Sequence, residues 1–423
     1  MKHLIFLIIS FLTILMSFTT KHIDTQKKPD KTAAQILGNP DYRAISYGGY
    51  RQKSREIQPT LIEIKEDLKI MFAMGIRIVR TYNVHFAEAS NLLKAIREMK
   101  AENPDFEMYV MLGAWIDCRN AWTHLPVDHN EESENNEIEI YKATELANEY
   151  TDVVKIIAVG NEAMVKWATS YYVQPRVILK WVNHLQNLKK AGKLQKDLWV
   201  TSSDNFASWG GGTDDYHTED LNKLINAVDY ISLHTYPMHD THYNPDFWGI
   251  RTSETNLSDK EKLNATMLRA RNYAVHQYQS VVRYMKSLGV NKPVHIGETG
   301  WATMSNEHYG HEGSKATDEY KSALYYKMMK DWSEKNKVSC FYFEAFDEQW
   351  KDSANPNGSE NHFGLFNLQS QAKYAIWDLV DQGVFHGLTR DGKPITKTFG
   401  GDENVLWKTV RMPSVVESIK IYD

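Results

Sequence analysis

Along the chain, short runs of β-branched and aromatic residues alternate with longer stretches in which apolar residues recur every three or four positions. The short runs predict strands at 44–49, 76–83, 108–116, 154–162, 198–204, 228–236, 294–299 and 340–346. The longer stretches predict helices, and the first has the clearest signals. Leu61, Ile64, Leu68 and Met71 share one face, Pro59 and a Thr60-x-x-Glu63 capping box start the helix, and Gly75 can end it. The other helical patterns cover 87–100, 138–150, 177–191, 218–227, 267–288, 317–335 and 369–382. Strict alternation predicts a parallel sheet, and eight such units are what closes a TIM (β/α)8 barrel, an α/β fold. A doubly wound open sheet is the alternative. It normally carries a glycine-rich phosphate loop behind its first strand, and Ser46-Tyr47-Gly48-Gly49 has neither that spacing nor a helix directly after it.

The long connections at 117–136, 205–217, 237–262, 302–315 and 347–368 all follow strand ends, which places them on the C-terminal face of a barrel. One barrel is expected over 35–384, with 385–423 as an extension packed on it. Ahead of it, Lys2 and His3 precede an uncharged apolar run from Leu4 to Phe18. This is short for a bilayer span and fits a secretory signal over 1–20, followed by a polar tether over 21–34. Export to the periplasm, cell surface or medium is expected. No Ala-x-Ala cleavage triplet follows, so an uncleaved anchor is the alternative, and membrane contact is expected only in that case.

Composition adds two points. With 49 Lys+Arg against 54 Asp+Glu the net charge is −5, and no basic excess exists to neutralise nucleic-acid phosphates. The aromatic content is high, at 12 Trp, 23 Tyr and 15 Phe. Rings pack cores and also stack on sugars, and composition does not choose between these uses. The two cysteines, Cys118 past the top of strand three and Cys340 at the bottom of strand eight, lie too far apart for a disulfide and are expected as free thiols. A monomer is expected.

Two of the apolar runs end in glutamate, Val159-Gly160-Asn161-Glu162 on strand four and Gly297-Glu298-Thr299-Gly300-Trp301 on strand seven. Each alone could be a solvated charge at a strand end. Together at one rim, they are the pair that glycoside hydrolysis requires, one carboxyl group giving a proton to the leaving oxygen and the other attacking carbon or activating water. A third segment, Phe343-Glu344-Ala345-Phe346-Asp347-Glu348-Gln349-Trp350-Lys351, ends strand eight.

These three ordered motifs resemble those of glycoside hydrolase family 17, the β-1,3-glucanases and their relatives, and in overall pattern the bacterial members. The resemblance implies that Glu162 is the general acid/base and Glu298 the nucleophile of a retaining double displacement, with carboxyl groups about 5–5.5 Å apart. It also implies that Asn161 binds the sugar 2-hydroxyl and that Glu348 and Lys351 form a supporting pair. A Glu-x-x-Lys spacing is equally an ordinary surface ion pair. Glu344 should face the same way, unless it is a buried carboxylate paired with a strand arginine. The activity implied is hydrolysis of β-1,3-glucan of the laminarin type, from within the chain. The alternatives are a β-1,3-glucanosyltransferase using the same intermediate and a non-catalytic glucan-binding barrel.

Tyr47, Arg80, Tyr82, Trp115, Asp204, Tyr236, Trp301 and Phe346 stand at or near strand ends and are the remaining candidate substrate contacts, although each aromatic could equally pack the barrel mouth. Arg80 and Tyr82 are two apart on one strand and share a face, which suits Arg80 to keep Glu298 ionised. Trp209 and Trp248, in long loops, are candidates for stacking at outer subsites. His234, His239 and His242 with Asp240 have no recognised metal-ligand spacing, so no metal and no cofactor are expected.

Overall fold

The computed structural model describes residues 30–422, so the expected export signal and most of the tether lie outside the described residues. Eight parallel strands close into a barrel: β1 (Arg43–Ser46), β2 (Ile76–Arg80), β3 (Tyr109–Ala114), β4 (Val154–Asn161), β5 (Trp199–Asn205), β6 (Ile231–His234), β7 (Val294–Gly300) and β8 (Cys340–Phe343). They pair in chain order, and β1 closes the ring on β8, with Ala44 beside Phe341 and Ile45 beside Tyr342. The eight-strand expectation holds. In β2, β6 and β8 the ladder stops two or three residues before the apolar run does, because there the backbone turns away to build the rim.

A four-residue helix, α1 (Ala33–Ile36), precedes β1, and seven crossover helices surround the barrel: α2 (Leu61–Ala73), α3 (Ala87–Glu102), α4 (Asn135–Glu149), α5 (Pro175–Lys190), α6 (Glu219–Ala227), α7 (Asp259–Ser287) and α8 (Glu319–Asn336). In α2 the capping box forms as read, Glu63 N–H donating to Thr60 Oγ1 at 3.3 Å and Thr60 N–H to Glu63 Oε2 at 2.7 Å. Two helices differ from expectation. α7 begins at Asp259 rather than at 267, because Ser258 and Glu261 form a second capping box. The helix expected over 369–382 is reduced to Trp377–Asp381, since Gln371–Ala372 is drawn into a short strand against Thr396–Lys397.

Two layers fill the barrel. At the bottom, Ile78, Tyr109, Met111, Ile156, Ala158, Tyr230 and Phe341 pack together, sealed from below by Ala33, Ile36 and Leu37 of the α1 segment. Burying such side chains contributes roughly 1.5–3 kcal/mol each. Higher up, the interior is lined by Ser203, Ser232, His234 and Arg80, all buried. This polar layer is the floor of the rim.

The C-terminal stretch packs against outer elements. Val415–Val416 pairs with Ile250–Arg251, Trp407 meets Tyr320 edge-on at 5.0 Å, and Arg390 bonds Asp67 of α2. Cys118 and Cys340 are both free. Among the described residues no helix is long and apolar enough to cross a membrane.

Candidate active site

Both motif glutamates sit just beyond a break in strand register. On β4 the pairing with β5 shifts between Ala158 and Asn161, and on β7 the pairing with β6 shifts between Ile296 and Glu298. Bulges of this kind re-aim the next side chain. Glycine is required at each. Gly160 has φ +82°, and a Cβ on Gly297 would lie 2.0 Å from Ser232 Oγ and 2.4 Å from Ser203 Oγ. Glu162 itself has φ +47°, a region sparsely occupied outside glycine, and its N–H is held by Ser203 O at 3.0 Å.

Glu298 is 7% exposed and has three donors. Arg80 Nη1 donates to Oε2 at 2.5 Å, Tyr82 Oη donates to the same oxygen at 3.0 Å, and Tyr236 Oη donates to Oε1 at 2.5 Å. Burial alone pushes this carboxyl upward. The His234 and Arg80 charges and the two phenol hydrogen bonds outweigh it and hold Glu298 below the usual carboxylate range. Arg80 also donates to Gly297 O at 2.8 Å and, through Nη2, to Asn161 Oδ1. With its oxygen engaged, Asn161 has its amide N–H groups to offer a ligand.

Glu162 is less enclosed, its side chain 17% exposed, and its Oε1 lies 3.1 Å from His234 Nδ1. In the sequence His234 stands out only as a possible metal ligand. Its position as the last residue of β6 was the available signal. The neighbouring His239 and His242 stack on Tyr236 and His308, and among the described residues no cluster of three His, Cys, Asp or Glu could hold a metal.

The strand-eight motif forms a buried charge cluster instead of a surface pair. Lys351 Nζ lies 2.5 Å from Glu344 Oε2 and 3.2 Å from Glu348 Oε2, and the side chains of Lys351, Glu344 and Glu348 are 11%, 1% and 2% exposed. The partner of Glu344 is thus this lysine and not a strand arginine. Burial pushes Glu344 well above the usual carboxylate range, and the Lys351 charge offsets only part of that.

A cleft of about 820 Å³ has Glu298 in its wall, while Glu162, Arg80, Tyr236 and Glu344 lie outside its lining. Of the sequence candidates, Tyr82, Trp115, Asn161, Glu298, Glu348 and Lys351 line it. Four others lie under the rim. Tyr47 is buried with its hydroxyl on Asp67, Trp301 is buried with Nε1 donating to Ala316 O, and Phe346 stacks on Phe366. Asp204 accepts from Met164 N–H, Asn205 N–H and Ser208 Oγ, stapling the loop after β4, and burial pushes it up to about 6. Trp209 and Trp248 are also corrected: they are 0% and 6% exposed, with Nε1 groups donating to Ser232 O and Ser314 O, so neither offers a stacking face. The rings that do line the cleft include Tyr50, Trp122, Tyr171 and Trp350, which no sequence signal distinguished from other loop aromatics. Trp122 and Tyr171 stack at 5.1 Å, and the Trp122 side of that stack is 64% exposed.

Two carboxyl groups at strand bulges on the C-terminal rim of a (β/α)8 barrel, one of them in the wall of an aromatic cleft, define a carbohydrate-active hydrolase, and the chain belongs to the BtgE/BtgC glycoside hydrolase domain family, whose model matches residues 44–364. That bears out the resemblance drawn from the three motifs. More particularly, the chain is similar to an endo-laminarinase from Formosa Hel1_33_131 of known crystal structure, at 64% identity and a TM-score of 0.91 over 93% of this chain and all of that one. Among curated relatives, the putative glucan endo-1,3-beta-glucosidase btgC of Aspergillus niger is 22% identical over 75% of this chain and 40% of its own length. A glucan 1,3-beta-glucosidase of Arthroderma benhamiae is 25% identical over 74% and 83%. This chain therefore spans well under half of the Aspergillus relative. The family 17 β-1,3-glucanosyltransferase of Rhizomucor miehei, 17% identical with a TM-score of 0.55 over 79% of this chain and 96% of that one, shares the fold.

Proposed function

We propose that the protein is an endo-acting β-1,3-glucanase that cleaves laminarin-type chains with retention of configuration. The observation that carries this reading is the Glu298 carboxylate, buried under the cleft and held ionised by Arg80, Tyr82 and Tyr236. The similarity to the Formosa endo-laminarinase supports the choice of substrate.

In the first step Glu298 attacks the anomeric carbon while Glu162 gives its proton to the departing glycosidic oxygen, leaving a glycosyl ester on Glu298. Glu162 then takes a proton from water, whose oxygen attacks the same carbon and releases Glu298. His234 orients Glu162. Asn161, its oxygen held by Arg80, donates to the sugar hydroxyl next to the reacting carbon, a contact that strengthens as the ring flattens. The enzyme acts as an exported monomer, in keeping with the N-terminal pattern of charge and apolar residues.

Incubation with linear and branched β-1,3-glucan, with β-1,4-glucan as control, tests the reading by product size. A ladder of shorter β-1,3-oligosaccharides is expected. Elongated products would make it a transferase, and products from the β-1,4 control alone would overturn the substrate. Glu162→Gln is expected to lower kcat about 10²–10⁴-fold; activity retained in both Glu162→Gln and Glu298→Gln would remove these residues from the chemistry.

A further inference from the structure

One cleft-lining group has no role in these steps. Glu88, in the first turn of α3, lines the cleft at 3% exposure, and its Oε1 is fully buried without a hydrogen-bond partner. Its charged neighbour is Glu348, and that carboxylate is already engaged, accepting from Tyr50 N–H at 2.8 Å and Trp350 Nε1 at 3.1 Å beside Lys351. Burial, with Glu348 adding to it, holds Glu88 well above the usual carboxylate range. A neutral carboxylic acid presents one O–H donor and one carbonyl acceptor, which matches a sugar hydroxyl, itself both donor and acceptor. Buried polar groups in folded proteins are paired, and Glu88 is among the residues that line the cleft.

Trp350, whose Nε1 donates to that same Glu348, is also on the cleft wall. Its indole is fixed by the bond to Glu348, by edge contact with Tyr50 at 5.8 Å and by the Arg55 guanidinium 4.2 Å above the ring. An aromatic surface beside a hydroxyl-reading group is the pairing that recognises a pyranose, apolar on its faces and polar at its edges.

We propose that Glu88 and Trp350 form a glucosyl-binding subsite away from the cleaved bond, in which the Glu88 carboxyl exchanges hydrogen bonds with a sugar hydroxyl and the indole packs on the sugar. This rests on the cleft being a β-1,3-glucan site. Glu88 opens α3, behind β2, and Trp350 lies in the segment that follows β8, and in this proposal the subsite lengthens the bound segment beyond the sugars held at Glu162 and Glu298.

The test is a series of linear β-1,3-gluco-oligosaccharides of increasing length, with kcat and KM measured for the wild type, Glu88→Ala, Glu88→Gln and Trp350→Ala. The loss in Glu88→Ala should grow with chain length, reaching about fivefold to tenfold in kcat/KM on longer substrates and appearing mainly in KM. Glu88→Gln, which keeps one donor and one acceptor, should recover most of it. Binding of the same oligosaccharides to Glu298→Gln with and without Glu88→Ala, by calorimetry, separates affinity from turnover, and thermal melting checks folding. A loss equal at all lengths, or none at any length in a folded variant, overturns the subsite. A wild type that cleaves no member of the series overturns the glucanase reading itself, and the subsite's ligand with it.

Discussion

His234 Nδ1 lies 3.1 Å from Glu162 Oε1. The opposite nitrogen, Nε2, meets Ser203 Oγ at 2.8 Å, and Ser203 meets Ser232 Oγ at 2.9 Å. One imidazole therefore ties a rim carboxyl group to the hydroxyl layer inside the barrel, and the hydroxyls determine which way the ring faces.

If that orientation matters to turnover, Ser203→Ala should lower kcat about fivefold, the worth of one neutral hydrogen bond, with KM for linear β-1,3-glucan little changed. Steady-state kinetics on the folded variant checks this. An unchanged kcat would mean that the ring is held by packing alone.

Arg80 is the fixed cation beside Glu298, and its removal should act on the pH profile as well as on rate. In the proposed mechanism Glu298 must be ionised to attack, and Arg80 is among the groups that hold it below the usual carboxylate range. Without that charge the carboxyl group moves upward, so the acid limb of kcat/KM should shift to higher pH in Arg80→Met. The loss at the optimum should be about 100-fold or more. An unmoved acid limb would count against Glu298 as the group that titrates there.

His295 should make the fold sensitive to acid. Burial lowers it from 6.5 to about 4, and its Nδ1 accepts from Ser339 N–H at 3.1 Å. Below pH 6.5 the unfolded chain binds a proton that the folded protein does not, so stability falls as pH drops from 6.5 toward 4, by about 3 kcal/mol in all. His295→Phe should flatten this slope in urea titrations across that window, while costing stability at neutral pH because Ser339 N–H loses its acceptor.

The C-terminal stretch should be needed for stability through one contact. Arg390 Nε donates to Asp67 Oδ1 at 2.8 Å, both side chains essentially buried, and Asp67 also accepts from Tyr47 Oη at 3.1 Å and Arg51 Nη2 at 2.9 Å. Arg390→Met should destabilise the fold by about 3–5 kcal/mol, read by chemical denaturation. A change under about 1 kcal/mol would mean that Arg51 and Tyr47 satisfy Asp67 without Arg390.

Much of the scaffold was legible because its signals are local. The Thr60-x-x-Glu63 box, Gly75 and the apolar face of α2 lie within fifteen residues of one another, and the helix follows them. The Ser258-x-x-Glu261 box was equally readable and marked the true start of α7. The shortened last helix was not, because the strand that captures Gln371–Ala372 comes from Thr396–Lys397, in a part of the chain without a clear pattern of its own.

By itself the sequence determined the order of eight strands, the rim on which the long loops gather, and the two glutamates behind Gly160 and Gly297, since side-chain periodicity and strand ends are properties of neighbouring residues. Only the tertiary structure decided which rings and carboxyl groups line the cleft. Trp209, Trp248 and Trp301 turned into the core while Trp122 and Trp350 came to the cleft, and Glu88 was brought against Glu348. Burial depends on what packs from elsewhere in the chain, so a residue's exposure, partners and charge state are settled only when the barrel closes.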